Sequence, residues 1–160
     1  MILDATCGIG HVWPAHATIR IDIRGKCRPD LVMDARDLKF PDRFFDQIYC
    51  DPPHIILPMS SRRKEAAWRK QFYRRFGIWD DRQDWLDFIK RTNQEFHRCL
   101  KSNGTLHYKL TDSDNHSVRL SELLRGMTMF IVEKERTEIS RSNTSHGRVH
   151  WLTMKPKAQP

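Results

Sequence analysis

Four short apolar segments, each closing on or followed directly by an aspartate, occupy the first third of the chain. Their length and their content of aliphatic and aromatic residues are typical of buried strands. Parallel strands bring their carboxyl ends to one edge of a sheet, and open α/β sheets bind ligands at that edge. The predicted strands are residues 1–4, 18–22, 29–34 and 46–50, and the acids are Asp4, Asp22, Asp34 and Asp51.

The remaining two thirds of the chain continue to alternate helical and strand patterns. Apolar residues at helical spacing predict a long helix that runs through residue 100 and packs against the core, with Asp80 or Asp81 as its N-cap. Ser102-Asn103-Gly104 is expected to end this helix with a left-handed residue. The stripe contains Trp85, Ile89, Thr92, Phe96 and Cys99; the later strands are residues 105–110, 127–136 and 149–154, and residues 117–124 form a short helix.

These elements predict the fold class. Only a polar loop joins the last two strands, so the final strand is antiparallel in an otherwise mostly parallel, seven-stranded α/β sheet. With 160 residues the chain has room for one domain, which we place at residues 1–155, with a disordered tail at 156–160.

Charge and composition indicate the partner and the compartment. The formal net charge is +8, and excess Lys and Arg attract polyanions, so nucleic acid is the expected partner. The alternative is that the charge serves solubility alone. The four cysteines show no C-x-x-C spacing, and no apolar run or leader predicts a membrane segment, so we expect a cytoplasmic protein with reduced thiols, no metal site and no membrane partner.

Asp51-Pro52-Pro53-His54 follows the fourth strand and suits the binding of a planar amine. Two prolines hold an extended loop past the strand. Asp51 can accept one amine hydrogen, the carbonyl of Pro52 can accept the other, and the ring of His54 can lie against a heterocycle. The alternative for an isolated motif of this kind is an ordinary turn.

The earlier strand ends carry features of a nucleotide-like site. Gly8-Ile9-Gly10 follows the first strand and permits close backbone approach to a ligand. Asp22 can bind the two hydroxyls of a ribose, and Asp34 or the backbone beside it can meet the amino edge of an adenine. Each acid alone could instead cap a helix.

The ordered set Asp4-x-x-x-Gly8-x-Gly10, Asp22, Asp34 and Asp51-Pro52-Pro53-His54 resembles the class I S-adenosylmethionine-dependent methyltransferases, and within them the branch that methylates amines. The resemblance implies a Rossmann-like three-layer sandwich and the cofactor S-adenosylmethionine. It implies that Asp4, Ala5, Thr6, Cys7, Gly8 and Gly10 lie beside the methionine, Asp22 and Ile23 at the ribose, Asp34 and Ala35 at the adenine, and Asp51 through His54 at the target amine, with Asp51 also bordering the cofactor. Two features depart from the family: the segment between Gly10 and Asp22 is short, and a histidine replaces the usual tyrosine, phenylalanine or tryptophan.

Two basic segments are candidates for substrate contact. Residues 60–76 predict a basic amphipathic helix that contributes Arg62, Arg63, Arg69 and Lys70 to phosphate contacts or to a lid; the alternative is a solvated face. The loop between the last two strands offers Arg141, Ser142 and Asn143, which the resemblance places beside the base; the alternative is a plain polar loop. Lys109, in the fifth strand, could meet a phosphate but is interpreted as a surface residue.

The sequence thus favours transfer of a methyl group to an exocyclic nucleobase amine, with adenine N6 in DNA first and cytosine N4 or RNA adenine or guanine as alternatives. The chain has no Pro-Cys dipeptide, which argues against a covalent mechanism. A target base in a duplex must be flipped out, and recognition is short unless a homodimer or a partner extends it. The rivals are a nucleic-acid-binding module without catalysis and a protein glutamine methyltransferase.

Overall fold

The computed structural model describes residues 1–9, 17–56, 77–112, 117–139 and 147–158. It contains seven strands, two α-helices and one 3₁₀ helix, Gly25–Cys27, within these ranges. The strands are β1 Ile2–Asp4, β2 Ile19–Asp22, β3 Leu31–Val32, β4 Phe45–Cys50, β5 Leu100–Asp112, β6 Phe130–Ile139 and β7 Arg148–Pro156; the helices are α1 Arg82–Cys99 and α2 Leu120–Gly126.

All seven strands form one sheet in the order β3-β2-β1-β4-β5-β7-β6. The pairs from β3 to β5 are parallel, and β7 is antiparallel to both β5 and β6. The predicted α/β fold, mostly parallel with an antiparallel last strand, is therefore confirmed. Because the strand order reverses between β1 and β4, a crevice opens at their carboxyl ends.

Helix α1 shows why the sequence folds as it does beside this crevice. Asp81 is its N-cap and accepts a hydrogen bond from the amide of Asp84 at 2.8 Å. The predicted stripe faces the core, and Trp85 and Phe96 are fully buried. On the sheet, Leu3, Ile21, Ile48 and Leu106 are also fully buried, so the helix and the central strands share one core.

The transition from α1 to β5 differs from the expectation. Leu100 already has extended backbone, and Ser102-Asn103-Gly104 lies inside β5 instead of closing the helix with a left-handed residue. Gly104 serves close packing: a Cβ there would stand 2.7 Å from Cγ of Leu100. The prediction that these three residues end the helix was therefore wrong, and the glycine is explained by its contact with Leu100.

Several other bounds shift. Strand β3 has two residues, helix α2 and strand β6 begin three residues later than predicted, and β7 extends through Pro156. The amide of Lys157 donates to the carbonyl of Met129 at 2.8 Å, so regular structure continues past the start of the predicted tail. The predicted basic helix, residues 10–16 of the short segment before Asp22, and the centre of the last loop lie outside the described residues. No helix in the described ranges is both long and apolar enough to cross a membrane.

Candidate active site

The loop after β1 lies across the crevice because its backbone is bonded on both sides. The amide of Ala5 donates to the carbonyl of Tyr49 at 2.8 Å, and the amide of Cys7 donates to the carbonyl of Ile21 at 3.0 Å. Gly8 has φ +56°, a left-handed value that favours glycine. The first part of the predicted glycine turn is thus present after β1, at Gly8.

A cavity of about 460 Å³ opens beside this loop, within the range of small-molecule sites. Residues from four strand ends line it, as the sequence predicted. The predicted residues that it brings together are Ala5, Thr6, Cys7, Gly8, Asp22, Ile23, Asp34, Ala35, Asp51 and Pro53. Gly10 lies outside the described residues, and Asp4, Pro52 and His54 are not among the described lining residues.

An apolar wall that the sequence did not reveal closes the cavity. Ile78, Trp79 and Phe88 line it, and the rings of Trp79 and Phe88 have centroids 4.9 Å apart. The indole nitrogen of Trp79 donates to the carbonyl of Pro53 at 2.7 Å. The wall therefore also positions the loop that carries the predicted amine site.

Asp22, at the end of β2, is saturated with hydrogen bonds. The amide of Gly8 donates to Oδ2 at 3.0 Å, and the amide of Arg24 donates to Oδ1 at 2.8 Å. The Arg24 guanidinium donates to both oxygens, at 3.0 and 3.2 Å. Since a carboxylate has about four acceptor positions, a ribose could bind here only by displacing the guanidinium.

Asp34, just beyond β3, has the same arrangement. Arg36 donates its amide to Oδ1 at 2.8 Å, and its guanidinium bonds both oxygens at 2.9 to 3.1 Å. Arg36 also reaches Asp84 of α1 at 2.9 Å. Burial opposes ionisation of Asp34, but the hydrogen bonds from Arg36 outweigh it and lower its pKa.

Asp51 is held differently, by side chains from distant positions. Its Oδ2 accepts a hydrogen bond from Nζ of Lys109 at 2.9 Å, and its Oδ1 lies 3.0 Å from Nε2 of His54. Burial alone would raise the pKa of Asp51, but attraction to His54 and Lys109 lowers it. Oδ1 is buried and makes no aligned hydrogen bond with the described residues. The interpretation of Lys109 as a surface residue was wrong, since its side chain is 17% exposed.

His54 is fixed at its ring nitrogens. The amide of Thr111 donates to Nδ1 at 3.3 Å, and Nε2 lies 3.0 Å from Oδ1 of Asp51. The amide of Val118 donates to the His54 carbonyl at 3.0 Å. The loop that begins at Asp51 is therefore tied to β5 and to the segment before α2.

Asp4 lies behind the cavity. Its Oδ1 accepts from the amide of Thr6 at 3.3 Å, and burial raises its pKa to about 6. It faces a second, smaller cavity of about 270 Å³, together with Arg20 and Arg28. Burial also raises the pKa of Cys7 to about 12, so this thiol stays protonated and is not a nucleophile.

The predicted substrate contacts cannot be placed. Arg62, Arg63, Arg69, Lys70, Arg141, Ser142 and Asn143 all lie outside the described residues.

Comparison with known proteins adds information on the fold. No protein-family model and no curated protein matches the chain. A S-adenosylmethionine-dependent methyltransferase from Methanosarcina mazei is similar with a TM-score of 0.58, at 14% identity over 99% of this chain and 92% of its own. Geranyl diphosphate C-methyltransferase from Streptomyces coelicolor A3(2), in complex with Mg²⁺, geranyl diphosphate and S-adenosyl-L-homocysteine, is similar with a TM-score of 0.61, at 9% identity over 98% of this chain and 71% of its own.

A third neighbour limits what the fold implies. The [4+2]-cyclase SpnF has a TM-score of 0.63, at 14% identity over 99% of this chain and 75% of its own. Because a cyclase shares the architecture, the fold alone does not assign methyl transfer. At these identities the comparisons show one thing, that the chain has the Rossmann-like fold of the class I S-adenosylmethionine-dependent methyltransferases.

Proposed function

We propose that the chain is an S-adenosylmethionine-dependent methyltransferase that acts on an exocyclic amine of a nucleobase, with adenine N6 in DNA as the first candidate. The observation that carries this proposal is the buried Oδ1 of Asp51, an acceptor without an aligned hydrogen bond in the described structure, on a residue that lines the cavity. A buried acceptor of this kind favours a ligand that brings a donor.

The cavity residues fit the cofactor in shape and in charge. Its described lining carries five carboxylates, of Asp22, Asp34, Asp51, Asp80 and Asp84, against the two guanidiniums of Arg24 and Arg36. An excess of carboxylates favours a cationic ligand. When bound, S-adenosylmethionine supplies a methyl group on a positively charged sulfur. Ala5 through Gly8 would lie beside its methionine part, Asp22 at the ribose, and Asp34 with Trp79 and Phe88 around the adenine.

The groups around Asp51 suit a nucleophile that is neutral before attack. Asp51 is held ionised, so it accepts a hydrogen bond but is a weak base. Nδ1 of His54 is engaged by the amide of Thr111. An exocyclic nucleobase amine is neutral and can attack without prior deprotonation, whereas a protonated lysine amine cannot. Asp51 would hold this amine, with the carbonyl of Pro52 as the proposed second acceptor, and positioning would supply most of the rate. The amine nitrogen would form a bond to the methyl carbon as the bond from that carbon to sulfur breaks, which would leave S-adenosylhomocysteine with a neutral sulfur. The methylated nitrogen would then release one proton to solvent.

The net charge of +8 supports a nucleic-acid substrate, DNA before RNA, and a base from a duplex would have to be flipped into the site. One observation favours a second candidate, a nucleic-acid-binding protein that no longer uses the cofactor. Arg24 fills the positions on Asp22 that a ribose would need. This candidate predicts binding of nucleic acid without methyl transfer.

Methyl transfer from tritiated S-adenosylmethionine to pools of DNA, RNA and protein tests the proposal. The full chain is expected to label nucleic acid, and Asp51→Ala is expected to abolish the labelling. Asp46→Ala is the matched control, because Asp46 lies on the same strand at its exposed opposite end. Labelling of protein alone, or equal labelling by the wild type and Asp51→Ala, would contradict the proposed function.

A further inference from the structure

The pairing of β4 with β5 brings a lysine to the proposed amine site. In this parallel pair Tyr49 is opposite His107 and Cys50 is opposite Tyr108, so the next positions, Asp51 and Lys109, are neighbours. Nζ of Lys109 lies 2.9 Å from Oδ2 of Asp51, and the two side chains are 17% and 11% exposed. A charge-assisted hydrogen bond in such a shielded place is stronger than one at the surface.

Lys109 is itself held from the side opposite Asp51. It is paired with Trp151 of β7, and its Nζ lies 5.5 Å from the centroid of the Trp151 ring. Arg136 of β6, paired with the same tryptophan, has its guanidinium 5.4 Å from that ring. A cation over an aromatic face is attracted to it, so the indole limits the directions that the ammonium can take.

The two oxygens of the Asp51 carboxylate have different neighbours. Oδ2 accepts a hydrogen bond from Lys109, which fixes the rotation of the carboxylate, while Oδ1 lies 3.0 Å from Nε2 of His54 without an aligned hydrogen bond and can still accept one. The titratable groups that face Asp51 in the described structure are Asp4 of β1, Cys50 of β4, Tyr108 and Lys109 of β5, and His54. Among them, Lys109 donates the hydrogen bond to Oδ2.

We propose that Lys109 is a positioning residue for methyl transfer, which anchors Oδ2 of Asp51 so that Oδ1 receives the amine of the substrate. The inference rests on the proposed function and assigns to Lys109 no contact with the cofactor, because Lys109 is not among the described residues that line the cavity. Its effect should therefore appear in the transfer step and in the pH profile, and not in cofactor affinity.

The test compares Lys109→Met and Lys109→Arg on the nucleic acid that the wild type labels. Lys109→Met is expected to lower kcat by about 10- to 100-fold, the effect of one hydrogen bond to a charged group, with the affinity for S-adenosylmethionine unchanged. The acid limb of its pH profile should move to higher pH, because Asp51 is then buried without its ammonium partner. Lys109→Arg should restore most of the activity and the original profile.

Lys101→Met provides a matched control, since Lys101 and Asp46 form the equivalent ion pair at the other end of the same two strands, at 2.7 Å. This variant should keep the wild-type kcat and profile. If Lys109→Met does not fold, Lys109→Gln replaces it with the same expectation. Unchanged kcat and pH profile in the folded variant would overturn the inference.

A second readout separates this inference from the proposed function. The pKa of the Asp51 carboxyl is measured by ¹³C NMR in the wild type and in the folded Lys109 variant, without any substrate. A higher pKa in the variant supports the anchoring of Asp51 by Lys109 even if no nucleic acid is methylated, in which case the proposed function fails alone. An equal pKa in both proteins overturns the inference.

Discussion

The aspartates at the ends of β2 and β3 are held by backbone groups and a nearby arginine, whereas the aspartate after β4 is held by side chains alone. Asp22 accepts the amides of Gly8 and Arg24, and Asp34 accepts the amide of Arg36. The described contacts of the Asp51 carboxylate come from Lys109 and His54. Burial is similar in the Asp22–Arg24 and Asp51–Lys109 pairs, so the origin of the donors is what differs.

The difference explains which acid can exchange partners. If the Arg24 guanidinium moves away, Asp22 keeps two backbone donors and gains two acceptor positions for a ligand. If Lys109 moves away, the buried Asp51 carboxylate loses its lysine partner and, among the described residues, has no backbone donor to replace it. Asp22 is thus suited to exchange an arginine for a ligand, whereas Asp51 is suited to keep its carboxylate in one place.

Replacement of Lys109, the partner of Asp51, and of Arg24, the partner of Asp22, should give the largest difference in stability. Lys109→Met is expected to lower the free energy of unfolding at pH 7 by about 2–4 kcal/mol, because it removes the lysine partner of a buried carboxylate. Arg24→Met should cost only about 1 kcal/mol, because backbone donors remain on Asp22. Urea unfolding of the two variants measures both values, and equal losses would show that the backbone donors do not matter.

Asp4 extends the comparison to an acid that the structure supplies with one backbone donor, the Thr6 amide. Burial raises its pKa from 3.8 to about 6, so between these values the folded protein holds a proton that the unfolded chain releases. The free energy of unfolding therefore falls as pH rises from about 4 to about 6, by up to about 3 kcal/mol. Asp4→Asn should remove this fall and be more stable than the wild type at pH 7.

Urea unfolding at a series of pH values checks this expectation. Asp37→Asn is the control, because Asp37 is exposed and pairs with the exposed Lys39. An Asp4→Asn variant with the same pH dependence as the wild type would mean that Asp4 is not the source of the fall.

Gly77 lies between Pro53, in the loop after β4, and Arg24, which binds Asp22. Its φ is +76°, and a Cβ there would stand 2.8 Å from Cγ of Pro53 and 3.6 Å from Nη1 of Arg24. Gly77→Ala should destabilise the protein by about 1–3 kcal/mol, through backbone strain and displacement of Pro53. In Gly25→Ala the new Cβ would be 3.5 Å from its nearest neighbour, an ordinary contact, so thermal unfolding should hardly change. Equal effects of the two substitutions would contradict the close packing at Gly77.

Arg24→Ala is expected to have the smallest effect, which is a gain in affinity for the cofactor. Removal of the guanidinium frees acceptor positions on Asp22, so the affinity for S-adenosylmethionine should rise by about 3- to 10-fold, or about 1 kcal/mol. Lys26→Ala controls for the change in charge, since Lys26 is not among the described residues that line the cavity. Weaker cofactor binding by Arg24→Ala would show that Arg24 contacts the ligand and does not compete with it.

Much of the fold could be predicted from the sequence, because strand length, apolar content and capping residues are local signals. Asp4 and Asp22 also marked the ends of their strands correctly, whereas β3 ends at Val32, two residues before Asp34. The parallel register of β4 and β5 is not local, and the pairing of Lys109 with Asp51 depends on it. A lysine in a strand gives no sign of its own that it faces a buried carboxylate.

The arginines that bind Asp22 and Asp34 follow a pattern that is visible in the sequence. The tripeptides Asp22-Ile23-Arg24 and Asp34-Ala35-Arg36 share the spacing that lets an arginine fold back on the aspartate two residues earlier. The wall formed by Ile78, Trp79 and Phe88 had no comparable pattern, because its residues look like the core of a capped helix and its entry segment. Only the tertiary packing turns that face toward the crevice.

Calorimetric titration with S-adenosylmethionine and with S-adenosylhomocysteine tests the central claim most directly, that the crevice is a cofactor site. The excess of carboxylates in the cavity predicts saturable binding of S-adenosylmethionine and weaker binding of S-adenosylhomocysteine, which lacks the positive charge on sulfur. No saturable binding of S-adenosylmethionine, even at high micromolar concentrations, would contradict the assignment of the cavity as a cofactor site.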